Sequence, residues 1–199
     1  MTYDEFNASK SACRDCWVGK VYDKVVSSDG CLSNPRVMVI GEAPGKDEIV
    51  EGKPFVGKCG KLLRSTMNTA GYRTDNTTIS NIIPCRPPDN KFPKDNAIVK
   101  ACIAKWLFRE MVILKPTHIL LVGSQPLKFV LGMDGITRNR GTWFPLCIDG
   151  LSAFHSPIYC LPTFHPSYVL RHAYMKDGQE ILAKFKQDID TVAKASGIQ

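Results

Sequence analysis

Four short runs of aliphatic and β-branched residues, each leading into a loop rich in glycine or proline, constrain this chain more than any other feature. They occupy residues 36–41 (RVMVIG), 77–83, 118–123 (HILLVG) and 158–161. Runs this short and apolar read as strands buried on both faces, the pattern of a parallel sheet. Helical patterns separate them. One covers 58–70 and stops at Gly71, and a long one starts at Lys94 or Asp95, with an apolar face of Ile98, Cys102, Trp106 and Ile113, and ends at Pro116. Two more cover 124–131 and 180–195. Strands alternating with helices predict an α/β fold with a mostly parallel sheet, and the loops after the strand ends become the expected site. Residues 132–157 show weak periodicity and read as an irregular hairpin. No repeat or domain linker interrupts residues 1–199, so a single domain is expected.

Composition narrows the class. With 199 residues, 44% hydrophobic and 23% charged, the chain can bury one sizeable core. No run approaches 18 apolar residues, and the N-terminus, with Asp4 and Glu5, lacks the basic-then-apolar order of a signal peptide. A soluble cytoplasmic protein without membrane attachment is expected. The formal charge of +7 favours acidic partners such as nucleic acid. Residues 52–109 hold eleven Lys/Arg against three acids, so this one segment accounts for the whole excess.

Eight cysteines in a reducing compartment argue against a disulfide framework and leave metal ligation or packing. Cys13 and Cys16 form a CxxC, Cys85 and Cys102 lie 17 apart, and Cys31, Cys59, Cys147 and Cys160 stand alone.

Three loops carry chemistry. GEAPGKDEIVEGKPFVG (41–57) follows the first strand with four acids and an aromatic; it lacks GxxxxGK[ST], so a phosphate cradle is disfavoured. SNIIPCRPPDNKFP (80–93) ends the second strand, and TFHPSYVLR (163–171) follows the fourth. Loops from three strand ends bring acid, aromatic, amide and imidazole to one sheet edge.

The order GEAPG…PFVG, N-x-x-x-C-R-P-P-x-N and HPSYVLR, with a CxxC ahead and a later cysteine pair, closely resembles family 4 uracil-DNA glycosylases, the iron–sulfur branch of their superfamily. The resemblance spans residues 13–171. It implies a three-layer α/β/α fold with a central, mostly parallel four-stranded sheet, and hydrolysis of the N-glycosidic bond of a flipped uracil to leave an abasic site. Such a reaction needs a base platform, a reader of the Watson–Crick edge, stabilisation of the leaving anion and a placed water. The resemblance implies Phe55 as platform, against a plain core role, and Asn81 as reader, donating to O4 and accepting from N3–H. Gly41 and Ala43 border the base. His165 is implied as the donor to uracil O2.

Glu42 is the first candidate to position water, with Glu48 second, because family 1 enzymes use an aspartate where Ala43 stands here. Gly45 replaces the bulky thymine-excluding residue of family 1. Tyr168, Val169 and Leu170 are candidate wedges into DNA or the first turn of a packed helix, with Leu170 favoured as wedge. Ser167 and Arg171 are expected on phosphate.

Cys13, Cys16, Cys85 and Cys102 match the ligands of a structural [4Fe–4S] cluster, with four-cysteine zinc as the rival. The partner is uracil-containing DNA, single- or double-stranded, and a monomer is expected; a sliding-clamp contact is not legible in the sequence. The loop at 90–96 has no histidine, which predicts turnover rather than covalent trapping, and no motif lysine suits Schiff-base chemistry. The competing readings are a DNA-binding replication or repair accessory on the same fold and a zinc-dependent nucleic-acid module.

Overall fold

A computed structural model describes residues 1–22, 24–146 and 157–199. In chain order the elements begin with helices α1 (Tyr3–Ser11) and α2 (Trp17–Val21), strands β1 (Asp29–Gly30) and β2 (Val37–Gly41), helices α3 (Lys46–Glu51) and α4 (Lys58–Thr69), and strand β3 (Thr77–Asn81). Helix α5 (Asn96–Cys102) passes through a π-helical segment (Ile103–Leu107) into α6 (Phe108–Leu114), followed by β4 (His118–Val122), α7 (Ser124–Leu131), α8 (Ile136–Asn139) and β5 (Phe144–Leu146). Strand β6 (Ile158–Thr163), helix α9 (Pro166–His172) and helix α10 (Gly178–Ser196) complete the chain.

The sheet has the order β1-β3-β2-β4-β6-β5. Its four central strands, the four runs legible in the sequence, are parallel, with Val39 beside both Ile79 and Leu120 and Leu120 beside Leu161. Two antiparallel edge strands raise the expected count of four to six: β1 pairs with β3 and β5 with β6. Both are two or three residues long and carry no periodic signal. Within 132–157 the described residues hold α8 and β5, and β5 pairs with β6 beyond that stretch; residues 147–156, Cys147 among them, lie outside the described residues, and with them much of the expected hairpin.

Alternation along the buried strands feeds two cores, as the strand period of two requires. Val37, Val39, Ile79, Leu120, Val122 and Leu161 face Leu63 and Met67 of α4 and Phe185, Ile189 and Val192 of α10. Met38, Ile40, Ile119, Leu121 and Cys160 face Val99, Ile103, Leu107 and Met111. Helices therefore cover both faces, giving three layers. A fully buried aliphatic side chain contributes about 1.5–3 kcal/mol, so these cores dominate stability.

The long helix starts where expected, with Asp95 accepting from the amides of Ala97 and Ile98, and ends at left-handed Lys115 before Pro116. Its buried face overlaps the expectation at Trp106 and otherwise differs: Val99, Ile103, Leu107, Met111 and Leu114 are buried, whereas Ile98, Cys102 and Ile113 are only partly so. Among the described residues no helix is long and apolar enough to cross a membrane.

Candidate active site

The carboxyl ends of β2, β3, β4 and β6 open onto one cavity of about 690 Å³, whose lining includes Glu42, Phe55, Asn81, Ser124 and His165. It lies where chain order reverses across the sheet, the place where open parallel sheets bind ligands. A smaller cavity of about 400 Å³ beside β1 is lined by Asp29, Tyr72 and Arg73 and shares none of these residues.

Gly41 ends β2 and sets the spacing of the site. A Cβ there would stand 2.5 Å from Asn81 Oδ1 and 2.6 Å from Phe55 Cε2, so only glycine lets the Phe55 ring and the Asn81 amide meet over this strand end. Asn81, the last residue of β3, is 8% exposed, and its side-chain amide makes no hydrogen bond among the described residues. A nearly buried amide facing a cavity without a protein partner is available to a ligand, since leaving it unpaired is costly.

The loop after β2, expected to be irregular, contains the six-residue helix α3, and Glu48 within it holds the loop closed. Glu48 Oε2 accepts from Gly45 N at 3.0 Å, and Oε1 accepts from Val56 N and Gly57 N at 3.0 Å each. Both oxygens are thereby committed to backbone amides on either side of Phe55. Phe55 itself has φ of 54° and is 7% exposed. A bulky residue in that left-handed region costs on the order of 1–3 kcal/mol and persists only where its surroundings fix it. Arg64 does so, donating through Nε to Phe55 O at 2.9 Å and through Nη2 to Pro54 O at 2.7 Å and Asp29 at 2.8 Å. Close approach of the Phe55 backbone to Gly60, where a Cβ would collide with it, locks the other side.

His165 is the N-cap of α9. Its Nδ1 accepts from Ser167 N at 3.2 Å and lies 2.8 Å from Ser167 Oγ. Because an amide N–H must donate, this contact assigns the ring proton to Nε2 in the neutral imidazole. Burial, then the Arg171 charge, brings the His165 pKa down to about 4, so the ring is neutral at pH 7. Its centroid lies 6.3 Å from that of Phe55. Burial alone raises the Glu42 pKa.

Of the other expected site residues, Ala43, Arg171 and Ser167 line the same cavity. Ser167 is engaged with His165, and Arg171 is exposed. Val169 is 3% exposed and belongs to the core, while Tyr168 is half-buried between Phe164 (4.9 Å) and His172 (4.1 Å). Leu170 is half-buried. The packed-helix alternative therefore describes Tyr168 and Val169. Arg64 and Asp29 were not read from the sequence. They lie 35 residues apart and their roles depend on loop backbone, so no local pattern could mark them.

The four paired cysteines gather away from this cavity. Burial pushes the Cys85 and Cys102 thiols up to about 12; Cys16 and Cys13 reinforce the rise at Cys85, and Cys85, Cys16 and Cys13 reinforce it at Cys102. Four thiols that sense one another are a chemically suitable donor set for an iron–sulfur cluster or zinc. No group of three or more His, Cys, Asp or Glu among the described residues is drawn together around a single ion. Cys59 lines the active-site cavity, and Cys160 is buried in the core.

Comparison with known proteins accords with this geometry. The sequence profile of the uracil DNA glycosylase superfamily matches residues 27–190. The chain is 34% identical over 164 residues to the type-4 uracil-DNA glycosylase of Saccharolobus solfataricus, covering 79% of this chain and 72% of that protein. It is 34% identical to the type-4 enzyme of Thermotoga maritima, covering 80% and 79%, and 33% identical to that of Pyrobaculum aerophilum, covering 87% of each. A profile match over most of the chain, with relatives of this identity along most of their own length, places the protein in the type-4 branch of the uracil-DNA glycosylase superfamily.

Proposed function

We propose that this protein is a monofunctional uracil-DNA glycosylase that accepts a flipped uracil in the 690 Å³ cavity and hydrolyses its N-glycosidic bond. The observation that carries the reading is a neutral His165, held through Nδ1, beside an unpartnered Asn81 amide and the Phe55 ring. Uracil stacks on Phe55. Asn81 donates to O4 and accepts from N3–H, a pattern cytosine reverses. As the C1′–N1 bond lengthens, negative charge grows on the base, and His165 Nε2–H donates to O2. A neutral imidazole suits this role because it stabilises the anion without first protonating it. One preorganised donor of this kind is worth roughly 3–4 kcal/mol.

Glu42 orients the water that adds to C1′ and offsets the oxocarbenium-like charge of the sugar. Glu48, its rival in the sequence, has both oxygens on backbone amides and instead holds the loop that presents Phe55. The products are free uracil and an abasic site, with no lyase step. Arg171 at the cavity mouth is placed to meet a phosphate, and DNA affinity falls with salt.

Cys13, Cys16, Cys85 and Cys102 hold a [4Fe–4S] cluster. Four thiolates are the donor set such a cluster requires, and four-cysteine zinc is the rival that iron analysis and visible absorbance distinguish. When bound, the group crosslinks the segment carrying Cys13 and Cys16 to the 80–93 loop and α5, and hydrolysis requires no electron from it. Residues 1–199 act as one domain in the cell interior.

The test is uracil release from oligonucleotides bearing one deoxyuridine, single- and double-stranded, comparing wild type with His165→Ala and Glu42→Gln. Wild type yields free uracil and alkali-labile sites, and both variants lose at least about 100-fold in rate. Tight DNA binding without abasic product identifies an accessory protein instead, and normal excision by both variants overturns the residue assignment.

A further inference from the structure

Opening a base pair leaves a gap in the stack, and enzymes that extrude a nucleotide fill it with an exposed apolar side chain close to the pocket. The apolar residues of the HPSYVLR motif are largely engaged inside the protein. Val169 is buried, Tyr168 is packed between Phe164 and His172, and Leu170 is half-buried. One turn further on, Tyr174 is 101% exposed and Met175 56% exposed.

This tip does not fray from α9. Ala173 N donates to Leu170 O at 3.4 Å, Met175 N to His172 O at 2.8 Å and Gly178 N to Met175 O at 3.0 Å, so tight turns carry the chain from α9 into α10. Ser167 and Arg171 belong to α9, whereas Tyr174 follows in the turn between α9 and α10. The first two line the active-site cavity. The third comes three residues after Arg171, in sequence between the exposed cations Arg171 and Lys176. An exposed aromatic on a hydrogen-bonded turn, flanked by positive charge and three residues from a cavity-lining arginine, has the chemistry that enters a DNA base stack.

We propose that Tyr174, with Met175 beside it, is the wedge that fills the duplex at the base pair being opened. The proposal rests on the glycosylase reading and adds a residue to it. Duplex opening is read without bond cleavage in an oligonucleotide carrying non-hydrolysable 2′-fluoro-deoxyuridine and a neighbouring 2-aminopurine. Wild type and Tyr174→Phe raise the 2-aminopurine emission, and Tyr174→Ala does not. On cleavable substrates, the ratio of duplex to single-strand kcat/KM falls about 10-fold or more in Tyr174→Ala, as expected for loss of one base–aromatic stack. Equal emission from wild type and Tyr174→Ala, or an unchanged ratio, overturns the wedge. Emission that depends on Tyr174 in a protein releasing no uracil from either substrate leaves the wedge standing and removes the glycosylase reading.

Discussion

Gly41→Ala tests how the site is assembled. The glycine has no positive φ, so alanine is conformationally allowed and the effect isolates the added methyl. That methyl would lie 2.5 Å from Asn81 Oδ1 and 2.6 Å from Phe55 Cε2, where ordinary contacts need about 3.5 Å or more. Phe55, Asn81 or both must retreat by about 1 Å. A misplacement of that size costs about 100-fold in rate, equivalent to roughly 2.7 kcal/mol of transition-state stabilisation. Overpacking also lowers stability by about 1–3 kcal/mol, partly offset because alanine suits a strand better than glycine by roughly 0.5–1 kcal/mol. The assay is kcat/KM for uracil release, paired with urea unfolding to show that the variant is folded. In a Phe55→Ala background the added methyl loses its principal obstacle, so the same substitution costs much less, and the two changes are non-additive. A folded Gly41→Ala variant with kcat/KM within about threefold of wild type would refute the claim that this glycine sets the distance between platform and reader.

Three further outcomes follow from the geometry. His165 has a folded-state pKa of about 4 against about 6.5 when unfolded, so the unfolded chain takes up its proton first and stability falls as pH drops from 6.5 towards 4. The loss approaches about 3 kcal/mol, and urea unfolding of His165→Gln should lack that component. Glu48→Gln cannot accept three backbone N–H bonds in the same way, so it lowers both the melting temperature and activity, whereas Glu42→Gln lowers activity with the melting temperature preserved. Cys85→Ser or Cys102→Ser removes bound iron and visible absorbance and lowers the melting temperature, measured by iron analysis, spectroscopy and calorimetry; retained iron at full stoichiometry in both would exclude these ligands.

Much of this arrangement was legible in the sequence because its determinants are local. Strands β2, β4 and β6 are short, largely apolar runs, β3 is β-branched though mostly polar, and α4 ends at a glycine in the left-handed conformation. The parts that escaped are those whose signal is not local. Helix α3 is short, acidic and without a buried residue, so it reads as loop. Strands β1 and β5 are set by pairing with β3 and β6 rather than by their own composition. The π turn between α5 and α6 is a feature of backbone geometry that side-chain periodicity does not encode. Within the site, residue types showed that acid, aromatic, amide and imidazole would meet, the resemblance supplied the candidate roles, and neither separated Glu42 from Glu48. That division rests on which backbone amides reach Glu48, and the fixing of Phe55 by Arg64 depends equally on folded loop backbone.

The most direct measurement of the central claim is a crystal structure with uracil bound. The account predicts the base stacked on Phe55, with the Asn81 amide and His165 Nε2 at about 2.7–3.2 Å from its polar edge. Uracil seated elsewhere, for instance in the cavity lined by Tyr72 and Arg73, or bound in this cavity without contact to Asn81 and His165, would contradict it.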